Sequence, residues 1–148
     1  MVDVSTAGGS QITGNKDVVR AFFDALSESD FDAAFALTAR DGVIHLPQPR
    51  QTMLLSEWRV VYEALMDSQF PDGCRYQIHE LIADGDRVCA RADSLAPMRG
   101  GGVYNNRYHW IIGLADRRII EIYESLDTLY ARDTIHANGW SGRSGTAQ

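Results

Sequence analysis

The stretch IHELIADGDRVCARAD, residues 78–93, decides the fold. Two runs of β-forming, alternating residues flank Asp84-Gly85, and Asp-Gly between such runs is the strongest short hairpin signal a sequence offers. Working outward, the segments 75–83, 87–96, 103–114 and 118–128 all read as strands. Their separators are Asp84-Gly85, Arg99-Gly100-Gly101-Gly102 and Ala115-Asp116-Arg117, each carrying turn chemistry. The first half reads differently. Val18, Val19, Phe22, Phe23 and Leu26 recur at the spacing of one helix face, with Asn15 or Thr13 as the cap. Asp30 caps a short second helix that buries Phe31, Ala34, Phe35 and Leu37. Gly42 to Leu46 forms a brief strand ended by Pro47 and Pro49. A third helix starts near Ser56 and sets Trp58, Val61, Tyr62, Leu65 and Met66 on one stripe.

Helices followed by an antiparallel meander define an α+β chain. Three N-terminal helices packed on a strongly curved antiparallel sheet leave a concave space, the usual place for a small-molecule pocket. The expected divisions are a flexible leader over 1–14, one domain over 15–132 and a disordered tail over 133–148. Trp140 is the exception in that tail, a residue able to dock on the domain or on a second subunit.

The 148 residues suit a single domain with a real core. No apolar run is long enough to span a membrane, and the start lacks the layout of a secretion signal, which makes a cytoplasmic location the default expectation. A net charge of −6 argues against nucleic acid as a partner. With the hairpin turning at Asp84-Gly85, Cys89 lies opposite Glu80, and Cys74 lies about six residues further along, roughly 20 Å away. That excludes a disulfide and predicts two free thiols. The four histidines are scattered without metal-ligand spacing, so no metal and no cofactor is expected. Gly100-Gly101-Gly102 lacks the Lys-Ser/Thr of a phosphate loop and joins strand to strand.

The element order, with residues 78–93, YNNRYHWIIGLADRRI (104–119) and EIYESLDT (121–128), resembles the NTF2-like superfamily. Within it the chain is similar to SnoaL-like proteins, a group with ketosteroid isomerases, polyketide cyclases and limonene epoxide hydrolases. The resemblance implies the cone fold and a pocket, and three site patterns follow from it. The isomerase pattern falls on Phe22, Leu46 and His109; Phe cannot donate a hydrogen bond and Leu cannot take a proton. The cyclase pattern places an acid–base group at Asp127, whose alternative role is to cap Leu129-Tyr130 or pair with an Arg. The epoxide hydrolase pattern matches Arg91-Ala92-Asp93 and Glu124 in spacing. Glu replaces the family's Asp, and the water-holding Tyr and Asn fall on Val43 and His45.

Arg91 and Asp93 share a strand face, as do Ile122, Glu124 and Leu126. If both faces line the pocket, an Arg sits between two carboxyl groups, one of which keeps its proton. Catalytic roles are then expected for Arg91, Asp93 and Glu124, and binding roles for His45, Trp58, Tyr62, Tyr108, His109 and Asp127. Tyr108 and His109 face opposite sides, and the sequence leaves open which points inward. The competing reading makes Arg91 and its carboxylates an interstrand salt bridge on the solvated or dimer face. The function expected is cofactor-free acid–base catalysis on a hydrophobic small molecule, by epoxide hydrolysis, isomerisation or cyclisation. The alternatives are a non-catalytic binding domain and a homodimer through the sheet.

Overall fold

The computed structural model describes residues 6–135, with side chains from Gly14 onward. The elements are α1 (Thr6–Ser27), α2 (Phe31–Ala36), β1 (Thr38–Pro47), β2 (Arg50–Leu54), α3 (Leu55–Gln69), β3 (Arg75–Asp84), β4 (Arg87–Pro97), β5 (Val103–Tyr104), β6 (Arg107–Ala115), β7 (Arg118–Leu126) and α4 (Thr128–Ile135). Trp140 lies outside the described residues.

The helix expected to begin at Thr13 or Asn15 begins at Thr6, within the stretch expected as a leader. Asn15 is buried in its middle and donates from Nδ2 to the Gly85 carbonyl at 3.3 Å, tying the helix to a hairpin turn rather than capping it. Asp30 caps α2 as expected, accepting from the Ala33 N–H at 3.0 Å. Ser56 does not cap α3. The Leu54 N–H is satisfied instead by the Glu57 carboxylate at 3.1 Å, and Ser56 falls in the first turn.

The strands form one curled, unclosed sheet in the order β2-β1-β7-β6-β4-β3, with β5 on β4. The meander from β3 to β7 is antiparallel, but β1 runs parallel to β7, so the sheet is mixed. The turn between β3 and β4 is Gly85-Asp86, because Asp84 pairs with Arg87. Glycine at φ +59° supplies the left-handed first position. Cys89 therefore pairs with Ile82 rather than Glu80, and both cysteines are free. The second tight turn, Asp116-Arg117, has φ of 49° and 61°, the conformation of a type I′ turn.

Alternation along each strand divides the sheet into two faces. The inner face of β4 is Val88, Ala90, Ala92, Ser94 and Ala96, all buried. Its small side chains make room for the bulky Tyr104, Tyr108, Trp110, Ile112 and Leu114 beside them. A register shift between Ile78 and Glu80 keeps β3 in phase: Tyr76 and Ile78 before it, and Leu81 and Ala83 after it, all pack against the core. Helix α1 covers this face with Val19, Phe22, Phe23 and Leu26. No described helix is long and apolar enough to cross a membrane.

Candidate functional site

Inside the cone, rings and hydroxyls interlock. Phe23 lies 4.3 Å from Trp110 between centroids, and Trp110 stacks on Tyr108 at 4.9 Å. Tyr76 meets both edge-on. The hydroxyls pair off, Tyr62 with Tyr76 at 3.1 Å and Tyr104 with Tyr108 at 3.1 Å, while Asn106 Nδ2 donates to the Tyr104 hydroxyl at 2.8 Å. Burial pushes all four phenols above their ordinary range, Tyr104 to about 12, so they remain neutral. It also pushes the Cys74 thiol up to about 12.

Glu124 is the acid of this interior. It follows Ile122 on the inner face of β7 and pairs across the sheet with Trp110, whose Nε1 donates to its Oε2 at 3.0 Å. Among the described residues, Trp110 is the one hydrogen-bond donor to this carboxylate. Burial raises its pKa, and the Trp110 bond only partly opposes that. Glu124 also lines a cleft of about 320 Å³ at the mouth of the cone. The β1–β2 hairpin forms one wall with Leu46, Pro47, Gln48 and Pro49, Leu126 extends the floor, and α4 roofs it with Thr128, Ala131, Arg132 and Ile135. The volume lies at the lower end of ligand pockets.

The structure does not bring Arg91, Asp93 and Glu124 together. Arg91 and Asp93 occupy outward positions of β4, between the buried Ala90, Ala92 and Ser94. Arg91 faces Glu80 at 3.5 Å, and Asp93 meets His79 at 2.9 Å and Arg107 at 3.7 Å. The reason is steric and electrostatic: methyl groups fit the crowded interior, and an Arg and an Asp there would lose hydration. The same alternation turns His109 outward and Tyr108 inward, so the isomerase-like position at His109 lies on the wrong face for an interior acid.

His45 does not line this cleft, but with Arg50 and Glu124 it lines an adjoining one between β1, β2 and β7. It stacks on Tyr123 at 4.1 Å, bonds Thr52 at 2.8 Å and approaches Glu121 at 3.5 Å. Trp58 is half-buried against Phe35 and Tyr62. Asp127 is exposed and accepts from the Tyr130 N–H at 2.9 Å, the helix-capping role. The residues missed from sequence are Tyr104, Asn106 and Trp110. With Tyr108 they recur at every second position, so one face collects four hydrogen-bonding side chains, and that spacing was the available signal.

A curled sheet over helices with this order is the NTF2-like cone, and solved structures share it. An NTF2-like protein of unknown function from Burkholderia pseudomallei is 16% identical, with TM-score 0.72, over 82% of this chain and 97% of its own. IdmH, a putative polyketide cyclase from Streptomyces antibioticus, is 21% identical, with TM-score 0.71, over 84% and 96%. An epoxide hydrolase of the LEH-like kind from M. tuberculosis is 18% identical, with TM-score 0.70, over 86% and 92%. At such identities the likeness concerns the fold alone. Residues 19–122 match the SnoaL-like domain, and the chain belongs to that family. No curated protein sequence matches it.

Proposed function

We propose that the protein is a cofactor-free acid–base enzyme acting on a small hydrophobic molecule, with Glu124 as the proton-transferring group. The observation that carries this reading is a half-buried carboxyl group, its pKa raised by burial, at the wall of a largely apolar cleft. Trp110 holds one oxygen and orients the group. A carboxylate with a raised pKa is a stronger base than one in water, and its acid returns the proton readily near neutrality. Glu124 takes a proton from a ligand C–H beside a carbonyl, or from water attacking an epoxide. In the first case the C–H electron pair becomes the C=C bond of an enolate as the carbonyl π pair moves onto oxygen, and protonated Glu124 returns its proton to the product. In the second the epoxide C–O bond breaks as the water oxygen bonds to carbon, and the alkoxide released takes its proton from protonated Glu124 or from solvent. The cyclase and epoxide hydrolase among its structural neighbours are consistent with this chemistry.

A second reading, a binding domain without turnover, is favoured by the outward placement of Arg91 and Asp93, which leaves Glu124 without the acid partner that the spacing implied. Exposed Ile82, Ile111 and Tyr123 on the outer face support a second copy docked there.

The deciding experiment screens epoxides, ketosteroids and polyketide-like ketones by thermal shift, then follows turnover or solvent deuterium uptake for each ligand that binds. Glu124→Gln is expected to retain binding and lose about 10²–10⁴-fold in rate. Equal rates in the two proteins remove Glu124 from the role. Ligands that bind the wild type without any turnover establish the second reading.

A further inference from the structure

The cleft carries a second charged group that the acid–base reading does not use. Arg132, in the last turn of α4, lines the same space as Glu124 but from the roof. Between them the walls are mostly carbon, from Leu46, Pro47, Pro49 and Leu126, with Gln48 and Thr128 as the polar exceptions. Among the described residues the guanidinium is held only by its chain neighbour, Nε and Nη2 both meeting Oδ1 of Asp133 at 2.9 Å. Both partners are about three-fifths exposed, at 61% and 60%, so the pair is well hydrated and contributes little to the fold. An Arg in such a pair exchanges partners at small cost, and its planar fork suits a carboxylate with two parallel hydrogen bonds.

We infer that the ligand of this cleft is an amphipathic acid, an apolar body ending in a carboxylate, with the carboxylate on Arg132 and the reacting end toward Glu124. The polarity of the cleft disfavours the reversed pose. A carboxylate placed beside Glu124 would meet a second acid in a desolvated site, whereas at the rim it meets a guanidinium and water. Neutral ligands of the same shape fill the carbon walls but leave Arg132 on Asp133. The inference rests on the acid–base reading for the orientation of the ligand, and on the cleft alone for its charge.

The test uses the full chain and two matched probes, 2-naphthoate and its methyl ester, titrated calorimetrically. The acid is expected to bind roughly tenfold tighter than the ester, the scale of one partly exposed charge-assisted contact. Arg132→Gln is expected to erase that preference while leaving ester affinity unchanged, which also shows that the cleft is intact. Arg132→Lys is expected to keep part of the preference, because the charge remains and the fork is lost. Ala131→Trp, which fills the cleft, is expected to remove both. Equal affinity of acid and ester in the wild type overturns the proposal, as does a preference that survives Arg132→Gln, or no binding of either probe. Failure of the acid–base reading looks different: Glu124→Gln leaves turnover unchanged while the Arg132-dependent preference stands.

Discussion

The two faces of the sheet are made by the same strands, one residue out of step, and they handle polar groups in opposite ways. On the outer face, Arg91, Glu80, Asp93, Arg107 and His79 stand in water and satisfy one another at 2.9–3.7 Å. Toward the interior, Glu124 is half-buried beside Trp110, and Tyr76, Tyr104, Tyr108 and Tyr62 of α3 pair hydroxyl to hydroxyl. Charge on the outside is cheap and chemically ordinary. Among the described residues Glu124 is the carboxyl that faces this interior, and burial raises its pKa, the kind of shift that marks a candidate functional group.

The contrast can be broken most severely by moving a charge inward. Ala92→Asp, at a position with no exposed surface, is expected to destabilise the fold by about 3–5 kcal/mol, the cost of an uncompensated buried charge. Chemical denaturation measures it, and a loss under about 1 kcal/mol would mean that the interior is wetter than its packing implies.

A smaller effect sharpens the comparison through pH. The pKa of Glu124 is raised on folding above its ordinary 4.5, so the folded state holds the proton more tightly than the unfolded one. Its contribution is therefore fully present below about pH 4.5 and is lost as pH rises through the folded value, opposite to the behaviour of a salt-bridged carboxylate. Glu124→Gln removes this titration. Its stability relative to the wild type is expected to increase between about pH 4 and pH 7, measured by urea unfolding at both. A pH-independent difference would place Glu124 in water.

The smallest effect belongs to the outer face. Arg91→Ala breaks a 3.5 Å pair whose members are each about half exposed, and is expected to change stability by less than about 1 kcal/mol. A larger loss in a thermal melt would show that this face is covered by something beyond the described chain.

The strands and turns were legible because alternation and Gly or Asp at turns are local signals. The turn at residues 84–86 was ambiguous: Asp84-Gly85 and Gly85-Asp86 both suit a two-residue loop, and only pairing along the whole hairpin selects the second. The early start of α1 had no such signal, since Gly8, Gly9 and Gly14 argue against a helix there. Strand β2 went unread because Arg50, Gln51 and Thr52 form a polar edge. At the site, two signals in the sequence conflicted. Spacing like that of the epoxide hydrolases placed Arg91 and Asp93 inward, while the Ala90, Ala92, Ser94 alternation placed them outward. Alternation prevailed, since burial of each methyl group and hydration of each charge favour the same orientation. Glu124 was found by the resemblance, but its true partner, Trp110, lies on a neighbouring strand whose facing the sequence left open.

Asn106 has a consequence that follows from its bonds. Buried between the strands, it donates from Nδ2 to the Tyr104 hydroxyl and to the Asp127 carbonyl, and accepts at Oδ1 from the N–H groups of Arg107 and Asp127. Asp127 in turn holds the first turn of the helix over the cleft. One amide is thus a common rivet for the phenol network beneath and the roof above. Exchanging it for a carboxylate, by substitution or by slow hydrolysis of the side chain, would set acceptor against acceptor at the Asp127 carbonyl and loosen the roof from within, with no change to any residue that lines the cleft.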